Sequence, residues 1–411
     1  MRAFVLATLP LLVLGCSASP SAVTTDAATH DGATPVLDAK TAAHDAHDGG
    51  HDAAAGRDAA TTQTDARLEA GDARPGEGDA RSDAADAADA GTAHDGSVAL
   101  TRSAFLWPFG AMDPFNIGLG DGATWSATWS TTPSNMNGAQ QAPSYSIPVY
   151  LATSTSPIQT INGVSLKVPL GAAPASGTDH HMSCVQAKGS IASFTNYAMY
   201  GFYGVAKGAS GPPDTYTNTG YGTNGPFDLT AYSTHYDGRA SNILQMGGLV
   251  RPNEVVAGLI PHAIAAALDR GSMAAGFIWP ATAQDSGAAG YTGTTHMGSV
   301  LGIPSSVDLG ALGLTAGGLV LATALQDYGA IVIDSGDSSE IIFYAEDEYD
   351  EGTNTAAFTT GVGQMKTDLA KIASHLKLLT NQQTSQALLD ATGAWGTGST
   401  ASRAPKAPPF D

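Results

Sequence analysis

A few ionisable side chains of this chain could do acid–base chemistry, and their spacing groups two of them. Asp179 and His181 lie two residues apart in the segment GTDHHMSC at 177–184. Alternate residues of a strand point to the same face, so the Asp179 carboxylate could orient the His181 imidazole while His180 points to the other face. We therefore predict that Asp179 and His181 belong to one site.

Three further candidate catalytic residues come from separate stretches. Arg239 stands out because arginine is scarce in the second part of the chain, and its planar guanidinium can bind a carboxylate with two hydrogen bonds. Asp334 ends the apolar segment AIVID, where a strand would deliver a side chain to a rim, although a turn-forming role fits equally well. His262 lies in LIPHAIAAAL, where a buried histidine more often has a structural partner than a catalytic role.

These residues fit two classes of enzyme that act on polysaccharide. In β-elimination from an acidic polysaccharide, Arg239 would neutralise the uronate while His181 or a tyrosine of the segment AYSTHY moves protons. Glycoside hydrolysis generally requires two carboxyl groups at a defined separation, for which Asp179 and Asp334 are the candidate pair. The sequence leaves both classes open.

Other chemistries find little support. A metal site built from Asp179, His181 and His262 lacks the regular spacing of zinc motifs, so we assign no metal ligand and leave the cofactor open. There is no G-x-S-x-G motif and no phosphate-binding loop, which argues against a serine hydrolase or a nucleotide enzyme. The formal net charge of −20 and the lack of a basic patch argue against nucleic-acid binding.

The alternative to an enzyme is a protein that binds carbohydrate, or supports the cell envelope, without catalysis. Trp107, Trp125 and Trp129 could form a platform on which sugar rings stack, although large aromatic side chains often anchor a core instead. An enzyme would bring the candidate residues together in a cleft. A binding module would show an aromatic surface and histidines scattered through the fold.

The N-terminus MRAFVLATLPLLVLGCS has the layout of a secretory signal peptide, with one basic residue and then an apolar run too short to span a bilayer. Its end, VLGC, resembles a bacterial lipobox, so we predict a signal peptide over 1–15 and lipidation of Cys16. By the same resemblance, Ser17 favours the outer membrane. Cys184 is then the one remaining cysteine, and we expect a small buried hydrophobe rather than a nucleophile.

A linker of low complexity follows. Residues 17–99 contain 16 acidic and 5 basic residues and no aromatic residue, with Asp, Ala, Thr, Gly and His predominating. Such a segment cannot bury enough apolar surface to offset its ordering entropy, so we predict a disordered acidic linker from Cys16 to 99. Together with the lipid, this linker would tether the rest of the chain to the membrane.

The body, over 100–400, is predicted to be mainly β, as a β-sandwich or jelly roll with a few peripheral helices, and a Pro-rich tail follows at 401–411. Many short segments of alternating or β-branched residues predict strands. Thr315 is the predicted cap of one helix, a second begins at Thr367, and RPNEVVAGLIPHAIAAAL predicts a short helix and then a buried segment. AIVIDS and SEIIFYAED predict a hairpin around Gly336.

Four stretches of the body resemble a family of secreted bacterial β-rich proteins of uncharacterised function. They are GTDHHM at 177–182, GRASNILQMGGLVRPNEVVAGLIPHA at 238–263, FIWPAT at 277–282, and the segments IPSSVDLGALGL and ALQDYGAIVIDS within 303–335. The resemblance implies kinship to exported proteins, some of which carry sugar-binding modules. It implies no role for any single residue.

Overall fold

The computed structural model describes residues 101–411 except 128, 130–133, 140–142, 209–214, 219–223, 235–238, 337–339 and 348–354. The predicted signal peptide, Cys16 and the linker lie outside these residues. Within them, strands predominate over helices, which confirms the β-rich body. No helix in the described part of the chain is long and apolar enough to cross a membrane.

The strands of the described residues are β1 Ser134–Asn137, β2 Val149–Ala152, β3 Ile158–Ile161, β4 Val164–Lys167, β5 Met182–Gln186, β6 Ala198–Phe202, β7 Val205–Lys207, β8 Tyr216–Asn218, β9 Asn224–Asp228, β10 Ile264–Asp269, β11 Met273–Phe277, β12 Thr295–Met297, β13 Val300–Gly302, β14 Ala330–Gly336, β15 Ile341–Tyr344 and β16 Lys377–Leu378. The helices are α1 Pro252–Ala257, α2 Ala316–Asp327, α3 Thr355–Ala373 and α4 Gln386–Thr392. Two short 3-10 helices span Ala288–Gly290 and Leu309–Leu312.

A mixed six-stranded sheet forms the centre of the body, in the order β1-β15-β10-β14-β13-β16. β10 is parallel to β14 and antiparallel to β15. The predicted hairpin of β14 with β15 is therefore wrong, because β10 lies between them. The apolar segment IAAALD of β10 is buried almost throughout and needs a neighbour on each side, and it comes from a distant part of the chain.

A second sheet packs against the first. It has the order β2-β5-β6-β9, and its Val149, Val185 and Met199 share a core with Ala265 and Ala267 of β10. The alternate residues of β10 face the other way and pack with α2 and α3. The body is thus layered as helices, six-stranded sheet and four-stranded sheet.

A third core lies on the outer face of the four-stranded sheet. Met182 and Cys184 of β5 pack there with residues of β4, β6 and the β7–β8 hairpin. Cys184 is a buried thiol in an apolar setting, as expected. His181 has the opposite parity, so it points into the space between the two sheets.

The helices partly follow the prediction. The hydroxyl of Thr315 accepts a hydrogen bond from the Gly318 amide and caps α2, as expected. α1 is short and is followed by the buried strand β10, also as expected. α3, however, begins at Thr355 rather than Thr367 and ends at Ala373, before the LKLL of the predicted helix. Its Gly361 packs against Val255 of α1, where a Cβ atom would approach the Val255 side chain to 2.2 Å.

The C-terminal segment 401–411 packs along the body. Phe410 forms a parallel bridge with Arg102, and the Arg102 guanidinium lies 3.9 Å from the centre of the Phe410 ring. The same guanidinium donates a 2.7 Å hydrogen bond to the Pro408 carbonyl. The hydroxyl of Tyr328 donates to the carbonyl of Pro405 at 2.7 Å. These contacts join the end of the chain to the beginning of the body.

Candidate functional site

Four of the five predicted catalytic residues meet at the edge of the space between the two sheets: Asp179, His181, Arg239 and Asp334. Asp179 and His181 lie just before β5, and Asp179 Oδ2 is 3.9 Å from His181 Nε2. The Gly204 amide donates to the Asp179 carbonyl at 2.8 Å and holds this segment against the end of β6. His180 adopts a left-handed backbone conformation, with φ of 46°, and its Nδ1 lies 3.1 Å from the Ala175 carbonyl.

A glutamine contacts His181 at Nδ1, the ring nitrogen that does not face Asp179. The side-chain amide of Gln245 lies 3.1 Å from His181 Nδ1, and both residues are buried. The ring of Tyr203 meets the imidazole edge to face, with the ring centres 5.3 Å apart. Burial, with the nearby Arg239 cation adding to it, lowers the pKa of His181 to about 3. His181 is therefore a neutral imidazole at physiological pH.

A β-bulge in β14 directs Asp334 toward this site. In the parallel pairing, Ala266 lies opposite Val332, but Ala267 lies opposite Asp334, so Ile333 is an extra residue. Paired residues of neighbouring strands share a face, and Ala267 faces the four-stranded sheet. Without the bulge, strict alternation would turn Asp334 toward the helices. The bulge brings it to the same side as His181.

Arg239 is the most buried charge of the site. None of its side chain is exposed, and its Nη1 lies 3.7 Å from Asp334 Oδ2. The guanidinium stacks 4.3 Å from the centre of the Tyr344 ring. Its three nitrogens have no hydrogen-bond partner of normal geometry among the described residues, and its contact with the Tyr344 hydroxyl falls short of that geometry. Such unmet donors in a buried site are costly, and they indicate a place where a bound group or water completes the bonding.

The two carboxyl groups of the site differ in their environment. The Asp334 side chain is 21% exposed and that of Asp179 is 40% exposed. Burial raises the pKa of Asp334 to about 6 against the lowering effect of Arg239, and the charges of Asp179 and Asp285 raise it further. Asp285 reaches the same strand end, where it accepts a 2.7 Å hydrogen bond from the Ser335 hydroxyl. The site thus combines a carboxyl group that is protonated below about pH 6 with a second one that is more exposed to water.

The fifth predicted residue, His262, has a different setting. Its Nε2 lies 2.8 Å from Glu254 Oε1, and its Nδ1 lies 2.8 Å from the Ala263 carbonyl. Glu254 also accepts a hydrogen bond from the Arg251 amide, and Arg251 pairs with buried Glu346. His262 is therefore a histidine with structural partners in its own buried cluster, and the structure does not bring it to the other four residues.

Several residues of the site were missed by sequence reasoning. Gln245, Tyr344 and Asp285 lie in stretches whose patterns indicate only strands or loops. The sequence does offer one indication that Gln245 has a specific role: it is a polar residue in the segment ILQM, where its neighbours are apolar. A buried polar group in such a segment needs a hydrogen-bond partner. For Tyr344 it offers none, because a tyrosine in IIFY is an ordinary strand residue.

The aromatic candidates do not gather at one place. Trp125 packs against the core between the two sheets, Trp129 packs against the core beneath the helices, and Trp107 donates to the side chain of Asn116. Tyr232 lies beside Gly110, and Tyr236 lies outside the described residues. Among the residues that the structure describes, no group of three or more His, Cys, Asp or Glu side chains could hold a metal ion.

Comparisons with protein-family models, curated proteins and solved structures found no match to this chain. The resemblance to a secreted bacterial family therefore stays a prediction.

Proposed function

We propose that the protein is a glycoside hydrolase of extracellular polysaccharide, in which Asp334 donates a proton to the leaving oxygen and Asp179 is the second carboxylate. The observation that supports this most is the unequal pair of carboxyl groups. Asp334 is largely buried and has a pKa of about 6, while Asp179 is hydrated at the same opening. Glycoside hydrolysis uses a protonated and an ionised carboxyl group on two sides of the scissile bond.

The same geometry argues against the lyase alternative. A β-eliminating enzyme needs a base to remove a proton from the uronate ring, and a catalytic base works best with a pKa near the working pH. The pKa of His181, at about 3, makes this imidazole a poor base. Arg239 has no exposed side-chain surface with which to neutralise the carboxylate of a polymer.

The location of the protein is part of the proposal. A lipid on Cys16 would anchor the chain in the bacterial envelope, in the outer membrane by the identity of Ser17, and the acidic linker would extend the body toward its substrate. Labelled palmitate supplied to expressing cells should be incorporated by the natural chain and not by Cys16→Ser. Incorporation by Cys16→Ser, or none by either chain, would contradict lipid anchoring at this residue.

We also propose a β-sandwich as the finer fold class of the body. The core that the two sheets share supports a β-sandwich, as expected from the sequence, and the helices that cover the outer face of the six-stranded sheet are an addition to it. A jelly-roll connection of the strands stays a prediction.

The activity can be tested with the full chain on a panel of neutral and uronic polysaccharides. We expect new reducing ends without the absorbance of unsaturated products, and a rate that Asp334→Asn lowers by about 10²- to 10⁴-fold. Asp113→Asn is the matched control, because burial raises the pKa of Asp113 to about 6 as well. The Asp113 carboxylate differs from that of Asp334 in having structural partners, since it accepts hydrogen bonds from Ser233 and Phe115. This variant should keep its activity.

The outcomes separate the candidate functions. Unsaturated products would replace the hydrolase by a lyase, and hydrolysis that survives Asp334→Asn would remove Asp334 from the mechanism. Retention of the protein on a glycan without turnover would favour the non-catalytic carbohydrate-binding alternative.

A further inference from the structure

We infer that Gln245 holds His181 in the tautomer protonated at Nε2, so that this histidine is a neutral hydrogen-bond donor facing Asp179 rather than a proton acceptor. Gln245 is then a positioning residue for the site. The tautomer follows from geometry alone, and only its use in catalysis rests on the proposed glycoside hydrolase.

The orientation of the Gln245 amide can be assigned from its neighbours. Its nitrogen lies 3.0 Å from the Phe202 carbonyl, which can only accept a hydrogen bond. Its oxygen lies 2.8 Å from the Ser183 hydroxyl, which donates to it. If the amide were turned over, two oxygen acceptors would face each other at 3.0 Å. The amide nitrogen therefore also faces His181.

The tautomer of His181 follows from that orientation. The Gln245 nitrogen lies 3.1 Å from His181 Nδ1 and carries two hydrogens, one for Phe202 and one for the imidazole. Nδ1 must then offer its lone pair. In a neutral imidazole the other nitrogen carries the hydrogen, and here that nitrogen is Nε2.

The groups that face His181 act on a second proton in both directions: burial and the Arg239 cation oppose it, while the Phe202 carbonyl favours it. Gln245 presents its amide hydrogens, and the guanidinium of Arg239 contributes a positive charge. His180 precedes it in the chain, Tyr203 presents its ring, and Asp179 places a carboxylate 3.9 Å from its Nε2. At 3.9 Å, the gap between Asp179 Oδ2 and Nε2 is longer than a hydrogen bond, and contacts of this kind commonly tighten when substrate binds.

The consequence for the site is a division of roles. Once the gap closes on substrate binding, His181 Nε2–H donates a hydrogen bond to Asp179, or to a substrate hydroxyl next to it, and takes no proton in the reaction. Asp334 moves the proton. A series of hydrogen bonds from Ser183 through Gln245 to His181 Nδ1 fixes the orientation of the imidazole.

The nitrogen NMR spectrum of the full chain tests the tautomer without any assay of activity. Long-range proton–nitrogen correlations distinguish a protonated from an unprotonated imidazole nitrogen, and the His181 signals can be assigned by their disappearance in His181→Asn. We expect Nε2 protonated and Nδ1 unprotonated, unchanged between pH 5 and pH 8. Protonation at Nδ1, or at both nitrogens in this range, would overturn the inference.

Gln245→Glu should reverse the arrangement, because a carboxylate accepts where the amide donated. We expect the His181 hydrogen to move to Nδ1, or the imidazole to become doubly protonated near neutral pH, and the pH–rate profile to change shape. Gln326→Glu is the matched control, since Gln326 is also buried and donates to the Pro304 and Val307 carbonyls. It should leave the His181 signals unchanged.

If Gln245→Glu does not fold, the nitrogen spectra of the natural chain and of Gln245→Met still test whether Gln245 sets the tautomer of His181. The methionine removes the donor, so both tautomers should appear. A single Nε2-protonated form in Gln245→Met would show that Gln245 does not set the tautomer. Support for the tautomer together with no cleavage of any glycan would reject the hydrolase and leave the inference standing.

Discussion

Two clusters of this protein each contain one arginine, one histidine and two acidic residues, but they differ in how completely their polar atoms are hydrogen-bonded. The residues of the site cluster are Asp179, His181, Arg239 and Asp334. The residues of the second cluster, here the inner cluster, are Arg251, Glu254, His262 and Glu346. Composition alone therefore does not distinguish a candidate site from a structural charge network.

Hydrogen bonding separates the two clusters. In the inner cluster every side chain is buried, Arg251 bonds to Glu346 and to the Phe105 carbonyl, and His262 lies between two acceptors. In the site cluster, Arg239 has no hydrogen-bond partner of normal geometry among the described residues. The hydrogen bonds of the inner cluster are complete within the fold, whereas the guanidinium of the site cluster has buried donors that the described residues do not satisfy.

The two histidines show the same contrast. Burial opposes protonation of His262, but the charge and hydrogen bond of Glu254 outweigh it and raise the pKa of His262. Burial lowers the pKa of His181, which faces an amide donor rather than a carboxylate. The protonation state of a buried histidine thus follows the partner that the fold supplies.

The largest expected effect concerns the two arginines. Arg251→Met should lower the free energy of unfolding by about 3–5 kcal/mol, because it leaves the buried carboxylate of Glu346 without its cation. Arg239→Met should lower the free energy of unfolding by clearly less, because the Asp334 carboxylate can take up a proton once the Arg239 cation is gone. Urea unfolding of both variants measures the difference, and equal losses would contradict the contrast between the clusters.

The second effect concerns the pH dependence of stability. His262 has a raised pKa in the folded state, so its contribution is complete below its unfolded pKa of about 6.5 and is lost as the pH rises through the folded value. His262→Gln should therefore lower the free energy of unfolding by about 1.5–3 kcal/mol at pH 6, and by less at alkaline pH. Unfolding curves of the natural chain and the variant at pH 6 and pH 9 measure this. A constant difference would mean that His262 is neutral.

The third effect concerns how Arg239 changes the pH dependence of hydrolysis. Its cation lowers the pKa of Asp334, and Asp334 must be protonated to act as the proposed acid. Hydrolysis should therefore decline above pH 6 in the natural chain, and in Arg239→Met the decline should move to higher pH by about one unit. Rates measured from pH 4 to pH 9 test this. A decline at unchanged pH would assign the acid to another group.

The smallest effect separates the two faces of β5. Cys184→Ala should lower the free energy of unfolding by about 1 kcal/mol, since it trims a side chain in an apolar core. It should leave glycan hydrolysis unchanged, because the thiol faces away from His181. Loss of activity with full stability would show that the outer core contributes to the site.

Local patterns predicted much of the site because the relevant periods are short. Strand parity explains why His181 and Cys184 point to opposite sides of β5, because side chains alternate along a regular strand. It does not explain why Asp179 lies near His181, because Asp179 is in a turn before β5 and His180 between them has a left-handed backbone. The cap at Thr315 and the short helix before β10 follow from equally local chemistry. The hairpin of β14 and β15 failed, since nothing near those segments indicates a strand that inserts from elsewhere in the chain.

Residue types and short-range patterns were enough to identify the side chains that could do chemistry and to predict a lipid anchor and a linker. The tertiary structure decided which residues meet. The bulge at Ile333 turned Asp334 toward His181, and Glu254 placed His262 in the inner cluster. The physical reason is that partners, burial and register arise from contacts between distant segments, and these contacts set the charge state of each group.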